Sequence, residues 1–413
     1  MHFEAKAYIV GGHVRDRLMG FTPKDRDWVV VGSTPEEMIA RGFNQVGADF
    51  PVFLHPESRE EYALARTECK SGNGYQGFTC AYDKNFSLKE DLRRRDLTIN
   101  AIAEACDGTL VDPYNGKADI QNRILRHVSE AFADDPVRVL RVARFAARFA
   151  NLGFTVAPET HDLMKAIVES GELQHLTTER IWLEILKAFE TTQPSVFLGT
   201  LRTSGALEHV LPEVDDLYGV PQPPEHHPEI DSGIHTEMVI DQARHLTSDT
   251  EVLFAALTHD LGKVLTLKEM WPSHHGHEKA GVPLVDRLST RLKVPSEHRR
   301  LALLVCEHHL RAHLSEEMRP AKLYALFEAL DAFRRPETLQ KFLLACEADK
   351  RGRLGFEDRV YTQRNYILRA FEVANAVKAR QFVEKGYEGP KIMEMMRTER
   401  ISRIRGLSQN RGN

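Results

Sequence analysis

The stretch TPKDRDWVVVG (Thr22–Gly32) puts two aspartates, Asp25 and Asp27, at the start of an apolar run. The β-branched and aromatic residues of this run predict a buried strand. Because side chains alternate along a strand, the two aspartates should point the same way, about 6–7 Å apart. Such a pair can bind two divalent cations about 3.5–4 Å apart, as phosphoryl and nucleotidyl transfer requires. The alternative is a solvated turn, since KDRD is also ordinary turn sequence.

The residues around this stretch extend the pattern on both sides. Upstream, YIVGGHVRDRLMG predicts a strand, a Gly11-Gly12 break and a helix. Glycines between a strand and a helix N-terminus allow a phosphate to approach the backbone amides. Downstream, EEYALART predicts a further strand that offers Glu61 as a third carboxylate. Glu61 is equally explained as an exposed acid at the end of a strand.

An arginine-rich segment follows further along the chain. DLRRRDLTINAIAE (Asp91–Glu104) joins three arginines to a helix that we expect to open at Asp96 or Thr98, although the arginines alone also suit a solvated surface. KSGNGYQGFT (Lys70–Thr79), which lies between EEYALART and this segment, predicts either a loop that moves during catalysis or a plain surface loop.

The segment DDPVRVLRVARFAAR (Asp134–Arg148) predicts a helix that starts near Pro136. Asp135 and Arg138, three residues apart, should be neighbours on its surface. An acceptor beside a donor matches a base edge that presents an amino group next to a ring nitrogen, as cytosine and adenine do. Uracil and guanine present the reverse pattern, so the pair can admit CTP and ATP and reject UTP and GTP. The alternative is a salt bridge on a solvated face.

Composition limits the classes of protein to consider. The 413 residues suffice for two to four domains, and 42% hydrophobic with 28% charged residues is typical of a globular protein. The chain contains no apolar run of about 18 residues, so we expect a cytoplasmic protein without membrane contact. Its five scattered cysteines argue against a cysteine-ligated zinc site. A net charge of −5 means that nucleic-acid binding would need local basic surface.

A second group of polar residues follows the proline-rich stretch GVPQPPEHHPEID, which indicates a domain boundary. Histidines and aspartates recur there in GIHTEM, LTHDLGK, HHGHEKAG, CEHHL and EADKRGR. Imidazoles and carboxylates from separate helices suit a transition metal that activates water. A single histidine is usually structural, but the ordered set with the HDLGK string favours a metal site.

The motifs VGGHVRDRLMG, KDRDWVVVG, RRDLTINA and DDPVR together resemble nucleotidyltransferases of the DNA polymerase β type, and most closely the bacterial CCA-adding enzymes and related poly(A) polymerases. The HDLGK set resembles HD-type phosphohydrolases, and the tail KGYEGPKI resembles the C-terminal helix of the CCA-adding family. DDPVR departs from that family's EDxxR pattern in having Asp134 where glutamate is usual.

The resemblance implies an α+β fold: a nucleotidyltransferase head with a small mixed sheet over residues 1–145, a helical neck and body over 146–220, an HD domain over 225–330 and a helical, RNA-contacting tail over 331–413. It implies template-independent addition of CCA to tRNA from CTP and ATP with Mg²⁺. The HD domain would act as a phosphatase, 2′,3′-cyclic phosphodiesterase and 2′-nucleotidase with a transition metal, nickel being the first choice. Alternatives are a poly(A) polymerase, or an RNA-binding phosphohydrolase with a structural head, and the chain is expected to be a monomer or homodimer.

The same resemblance implies roles for individual residues. The predicted catalytic carboxylates, of which the first two bind Mg²⁺, are Asp25, Asp27 and Glu61. The predicted nucleotide-binding residues are Gly12, Arg15, Arg95, Asp135, Arg138, Arg141 and Arg144, although the last two also suit packing of the neck. Asp96 and Asn100 are expected to brace a hinge. The predicted HD metal ligands are His235, His259, Asp260 and Asp349, with His277 as a further ligand or proton donor.

Overall fold

The computed structural model describes residues 6–23, 25–46, 52–70, 78–82 and 84–409. The chain forms two compact units. The first unit comprises Met1–Ala188 and Val196–Val210, and the second comprises Phe189–Ser195 and Leu211–Asn413. Most of the predicted glycine-rich loop, residues 71–77, lies outside the described residues.

A seven-stranded mixed sheet forms the centre of the first unit, with strand order β3-β4-β5-β2-β1-β8-β9. Its strands are β1 (Lys6–Val10), β2 (Asp27–Val31), β3 (Asn44–Val46), β4 (Val52–Leu54), β5 (Glu61–Leu64), β8 (Ala103–Ala105) and β9 (Leu110–Val111). Strand β2 is antiparallel to β1 and parallel to β5. Separate two-stranded pairs are formed by β6 (Arg66–Lys70) with β7 (Phe78–Tyr82), and by β10 (Ile124–Leu125) with β11 (Thr155–Val156).

Apolar residues are buried on both faces of the large sheet. Adjacent residues of β2 point to opposite faces and pack into different clusters. Val29 packs into one buried cluster with Leu88 and Leu92, whereas Val30 packs into another with Met38. The apolar run after the two aspartates is therefore buried on both faces, which explains its β-branched composition.

Nine helices accompany these strands in the described residues before position 211. They are α1 (Gly12–Leu18), α2 (Pro35–Ala40), α3 (Leu88–Arg93), α4 (Gly116–Asn122), α5 (Val137–Phe149), α6 (Pro158–Glu169), α7 (Thr178–Phe189), α8 (Ser195–Thr203) and α9 (Leu207–Val210).

The prediction that a helix opens at Asp96 or Thr98 was wrong. The chain makes only a 3₁₀ turn at Thr98–Asn100 and then enters β8. The Asp96 carboxylate closes this turn by accepting the backbone N–H of Leu97 at 2.8 Å and the amide of Asn100 at 2.9 Å. Because β8 completes the sheet beside β1, the chain must extend here rather than continue as a helix.

The second unit is built from helices in its described residues. These helices are α10 (Pro212–Asp215), α11 (Ser232–Leu246), α12 (Thr250–Thr258), α13 (His277–Arg291), α14 (Ser296–His313), α15 (Pro320–Ala329), α16 (Pro336–Arg351), α17 (Thr362–Asn375), α18 (Arg380–Val383) and α19 (Pro390–Gln409). The predicted α+β class, with a small mixed sheet in the N-terminal part and helices after it, is confirmed. Among the described helices, none combines the length and apolar character needed to cross a membrane.

Helix α12 lies at the core of the second unit, where residues Val252–Thr258 are almost fully buried. The turn after it passes so close to α13 that a Cβ on Gly262 would lie 1.9 Å from the carbonyl oxygen of His277. Only glycine fits this approach, which brings the end of α12 against the start of α13.

Candidate active sites

Three predicted carboxylates line one pocket of the first unit. Asp27 begins β2 and Glu61 begins β5, and the parallel register sets these two residues opposite each other. Asp25 precedes β2 and faces the same pocket. The pocket is lined by His13, Pro23, Asp25, Arg26, Asp27, Ser58, Arg59, Glu60 and Glu61. We call it the carboxylate pocket.

All three of these carboxylates are exposed to solvent and offer only oxygen atoms, the donors that Mg²⁺ prefers. Within the described residues, every group of three His, Cys, Asp or Glu side chains with ligand atoms within 4.8 Å of one another lies in the second unit. The three carboxylates therefore form an open acidic pocket rather than a closed ligand set.

Arg95 lies beside the Gly11-Gly12 turn that precedes α1. Gly11 has φ +71°, and a Cβ there would lie 3.0 Å from Nη1 of Arg95. The Nη2 atom of Arg95 is 3.4 Å from the Asp91 carboxylate, while its Nε is buried without a hydrogen-bond partner. Gly12 begins α1, directly after the turn that Arg95 approaches.

Arg15 points into the protein instead of toward solvent. Its guanidinium donates to Asn100 at 2.6 Å and to Asp16 at 2.8 Å, and it lies 5.1 Å from the ring centre of Phe145. Burial lowers the pKa of Arg15 to about 10, against the opposing charge of Asp16. Arg15 thus anchors α1 to the 3₁₀ turn at Thr98–Asn100 and to α5.

Asp96 connects that turn to α5. Its Oδ1 accepts the Asn100 amide at 2.9 Å, and its Oδ2 accepts from Arg141 Nε at 2.8 Å. Burial opposes the charge on Asp96, but the charge of Arg141 and the bonds from Asn100 and Arg141 hold its pKa far below the usual range. Arg15, Asn100, Asp96 and Arg141 therefore form one continuous chain of hydrogen bonds.

The base-reading pair is arranged differently from the prediction. Asp135 lies before α5 in extended backbone, so the two residues do not share a helix surface. Arg138 is buried and donates to the backbone carbonyls of Ala131 and, at 2.6 Å, Arg94. Asp135 is bound by Arg180 of α7, with N–O distances of 3.0 and 2.6 Å.

Arg144 pairs with Glu184 of α7, and both side chains are buried. Neither Arg180 nor Glu184 was singled out by the sequence analysis. Their signal is visible in retrospect: two opposite charges four residues apart interrupt the apolar pattern of TERIWLEILK.

In the second unit, five helices bring the predicted HD ligands together around Asp260. His235 lies in α11, His259 follows α12, His277 begins α13 and Asp349 lies near the end of α16. Helix α14 adds His309, which the sequence analysis noted without assigning it as a ligand. We call this group the histidine centre.

The two carboxylate oxygens of Asp260 face different partners. Oδ2 lies 3.2 Å from His259 Nε2 and 2.5 Å from Lys263 Nζ. Oδ1 lies 3.1 Å from His277 Nε2 and 3.5 Å from His309 Nε2. A second carboxylate, that of Asp349, contacts the remaining histidine, with its Oδ1 3.3 Å from His235 Nε2.

The Nδ1 atoms of the four histidines all face backbone carbonyls. These pairs are His235 with Gly352 at 2.9 Å, His259 with Ala256 at 2.7 Å, His277 with His274 at 2.8 Å and His309 with Val305 at 3.0 Å. A histidine that donates through Nδ1 keeps a lone pair on Nε2 for a metal. Burial lowers the pKa of His309 to about 3, which favours the neutral ring.

The centre fits a metal ion because its inward-facing atoms lack hydrogen bonds. The buried atoms without a hydrogen-bond partner include Nε2 of His235, His259 and His277 and Oδ1 of Asp260. Burial tends to lower the pKa of His259, yet the Asp260 charge raises it overall, so a positive charge is favoured at this position. Buried polar atoms without partners are rare in folded proteins, and a metal ion bound between these four atoms would satisfy them.

Comparison with known proteins agrees with this two-site arrangement. Residues 7–126 match the poly A polymerase head domain, residues 153–218 match the probable RNA and SrmB-binding site of polymerase A, and residues 233–338 match the HD domain. The multifunctional CCA protein of Hahella chejuensis is 52% identical over 98% of this chain and 96% of its own length. That of Teredinibacter turnerae is 52% identical over 97% of this chain and 98% of its own length.

The chain belongs to the multifunctional CCA protein family. It is an enzyme, a nucleotidyltransferase that carries an HD domain. Solved structures agree in fold: an apo CCA-adding enzyme matches with a TM-score of 0.64 at 21% identity, over 98% of this chain and 87% of that one. A Thermotoga maritima CCA-adding enzyme complexed with tRNA matches with a TM-score of 0.64 at 20% identity, over 97% and 88% of the respective chains.

Around the histidine centre, this member of the multifunctional CCA protein family has outer residues that sequence reasoning missed. Glu229 accepts from Nδ1 of both His227 and His235, at 2.9 and 3.0 Å. His313 holds the other oxygen of Asp349 at 2.6 Å. Such residues orient ligands without touching a metal, and they carry no spacing rule that a sequence can display.

Proposed function

We propose that this enzyme builds and repairs the 3′-terminal CCA of tRNA by transferring CMP and AMP from CTP and ATP without a nucleic-acid template. The observation that carries the proposal is the set of Asp25, Asp27 and Glu61 at the mouths of β2 and β5. The names of the full-length relatives support it, as do solved structures of CCA-adding enzymes with tRNA, CTP and ATP.

We propose that Asp25 and Asp27 hold Mg²⁺ in the carboxylate pocket, with Glu61 as the third carboxylate. Bound Mg²⁺ supplies charge stabilisation for the attacking and leaving oxygens of the transfer. Oxygen-only donors at a solvent-exposed pocket suit this ion. The Arg95 guanidinium, whose Nη1 lies beside the Gly11-Gly12 turn, would contact the triphosphate.

Base choice is proposed to rest on Asp135 and Arg138. The Asp135 carboxylate would accept the amino group of cytosine or adenine, and Arg138 would donate to the adjacent ring nitrogen. Arg138 is buried and donates to two backbone carbonyls, so its side chain would have to become accessible for a base to bind. The bonds of Arg141 to Asp96 and of Arg144 to Glu184 support packing of the neck more than phosphate contact.

One assay separates the proposal from its alternatives. A tRNA that lacks its 3′ CCA is incubated with Mg²⁺ and each labelled nucleotide, alone and in combination, and the product lengths are read on a sequencing gel. CCA addition gives two C residues followed by one A. An extended A tail from ATP alone would indicate a poly(A) polymerase, and no extension would indicate a structural head.

A second function is proposed for the histidine centre: metal-dependent phosphatase, 2′,3′-cyclic phosphodiesterase and 2′-nucleotidase activity. The unpartnered Nε2 atoms of His235, His259 and His277 support it. Asp260 and Asp349 would complete the ligand set, and the metal would activate water. Imidazole-rich sites prefer Ni²⁺, Co²⁺, Mn²⁺ or Zn²⁺ to Mg²⁺, so hydrolysis of a 2′,3′-cyclic nucleotide should respond to those ions, nickel first.

The proposed roles follow the expected division of the chain, with nucleotidyl transfer in residues 1–145, hydrolysis in 225–330 and RNA contact in 331–413. The exception is the proposed ligand Asp349, which lies beyond residue 330. Because the proposed substrate is tRNA, the expected place of action is the cytoplasm. Light scattering coupled to size-exclusion chromatography measures whether the enzyme is a monomer or a homodimer.

A further inference from the structure

We propose that Arg180 is a positioning residue that sets base selectivity by fixing the carboxylate of Asp135. This inference rests on the proposed function, because it concerns how the nucleotidyl-transfer site reads CTP and ATP. It adds to that proposal a residue on a different helix, α7, outside the predicted nucleotide-binding set.

The contact between Arg180 and Asp135 is two-pronged. Nη1 donates to Oδ1 at 3.0 Å and Nη2 donates to Oδ2 at 2.6 Å. The side chains retain 25% and 19% of their exposure respectively, so a base can still approach the pair from solvent. A bidentate guanidinium–carboxylate pair fixes the plane of the carboxylate as well as its position.

Counting acceptor positions shows what the pair leaves available. Oδ1 accepts both Arg180 and the backbone N–H of Val137, the latter at 3.2 Å. Oδ2 accepts Arg180 alone among the described residues. Since each carboxylate oxygen has about two acceptor positions, one position remains, on Oδ2.

This single position is what selects the base. The amino group of cytosine or adenine can donate to it, whereas the carbonyl oxygen of uracil or guanine faces a negatively charged oxygen and is repelled. Without Arg180, the carboxylate can rotate and exchange its partners with water. The amino-bearing bases then lose their fixed acceptor, and the carbonyl-bearing bases are no longer excluded by its orientation.

Glu184 forms a second ion pair between α7 and α5, separate from that of Arg180. Glu184, one helical turn after Arg180, bonds Arg144 of α5. Arg180 contacts Asp135, which lies just before α5, whereas Glu184 contacts Arg144 within α5. The Glu184 pair is therefore a matched contact on the same helix against which the role of Arg180 can be tested.

The test compares Arg180→Ala and Arg180→Lys with wild type for addition of CMP and UMP to a tRNA that lacks its CCA. Arg180→Ala should raise the KM for CTP about tenfold with little change in kcat, and should reduce the selectivity for CTP over UTP about tenfold. Arg180→Lys, which retains the positive charge but not the planar two-pronged geometry, should recover part of the selectivity. Thermal unfolding of each variant verifies that it is folded.

Two comparison variants separate positioning from a purely structural role. Lys187→Ala, on an exposed position of the same helix, should leave selectivity unchanged. Glu184→Gln weakens the other pair, so it should lower the unfolding temperature without changing the CTP to UTP ratio. Equal losses of selectivity in Arg180→Ala and Glu184→Gln would overturn the inference.

A double-mutant cycle tests whether Arg180 acts through Asp135. In an Asp135→Ala background, Arg180→Ala should have no further effect on the CTP to UTP ratio. An additive effect, or an unchanged ratio in the Arg180→Ala single mutant, would refute the inference while leaving CCA addition intact. A wild-type enzyme that adds no CMP would instead refute the proposed function.

Discussion

Asp27 and Glu61 face each other across the parallel pairing of β2 and β5, each as the first residue of its strand. The 33 residues between them include strands β3 and β4, and the sheet closes this distance by running β5 beside β2. The carboxylate pocket is therefore a product of sheet register, because parallel neighbours begin at the same edge. The proposed nucleotidyl transfer requires all three carboxylates of this pocket, and this requirement can be tested one residue at a time.

Asp25→Asn, Asp27→Asn and Glu61→Gln should each lower the rate of CMP addition by about a hundredfold or more, because a metal-binding carboxylate contributes several kcal/mol to the transition state. Single-turnover addition to a tRNA without its CCA measures the rate. Glu57→Gln, at a nearby exposed acid, is the matched control. If Glu61→Gln behaves like this control, Glu61 is only an exposed acid at the end of a strand.

Asp96→Asn should destabilise the first unit by about 2–3 kcal/mol at pH 7. That is below the ~3–5 kcal/mol typical of breaking a buried pair, because Arg141 keeps 35% of its exposure. Chemical unfolding followed by circular dichroism measures the free energy. Asp162→Asn, at an exposed position of α6, should leave it unchanged.

The same pair predicts a pH dependence. The folded pKa of Asp96 lies below its unfolded value of about 3.9, so its contribution to stability is present above that value and is lost as pH falls toward the folded pKa. The stability difference between wild type and Asp96→Asn should therefore persist at pH 5 and shrink below about pH 4. A difference that stays constant down to pH 2 would show that Asp96 is not charged in the folded protein.

Local patterns predicted the first strands, the Gly11-Gly12 turn and the clustering of histidines correctly, since each is visible within a few residues. The partners of α5 could not be predicted in this way. Arg144 meets Glu184 and Asp135 meets Arg180 through the packing of two helices, and sequence spacing does not report which faces of separate helices meet.

The start of α5 illustrates a second limit. Spacing alone treats Asp135 and Arg138 as helical neighbours, but Pro136 caps the helix and leaves Asp135 in extended backbone. Asp135 then turns toward α7, while Arg138 satisfies two buried carbonyls. Three-residue spacing implies contact only when both residues lie within the helix.

His259→Ala and Asp260→Ala should abolish binding of one equivalent of Ni²⁺ and any metal-dependent phosphodiesterase activity, without slowing CMP or AMP addition. The reason is that both side chains contribute unpartnered ligand atoms to the histidine centre. Metal content by mass spectrometry and both assays on the same preparations measure the outcome. His245→Ala, at an exposed position of α11, serves as the control. Parallel loss of both activities would contradict two independent sites.

Glu229→Ala should weaken Ni²⁺ binding by about tenfold to a hundredfold while leaving all the proposed ligands in place. Glu229 Oε1 lies 3.0 Å from Nδ1 of His235, whose Nε2 faces the histidine centre. Burial opposes the charge on Glu229, but its hydrogen bonds with His227 and His235 hold the pKa below the usual range, so it accepts as a carboxylate. Titration calorimetry with Ni²⁺ measures the affinity.

Glu229→Gln and Glu225→Ala make this measurement specific. Glutamine retains one acceptor oxygen for His235, so its loss of affinity should be smaller than that of alanine. Glu225, an exposed acid in the same proline-rich stretch, should have no effect when replaced. An unchanged affinity in Glu229→Ala would mean that the carbonyl of Gly352, 2.9 Å from the same nitrogen, is sufficient to orient the His235 ring.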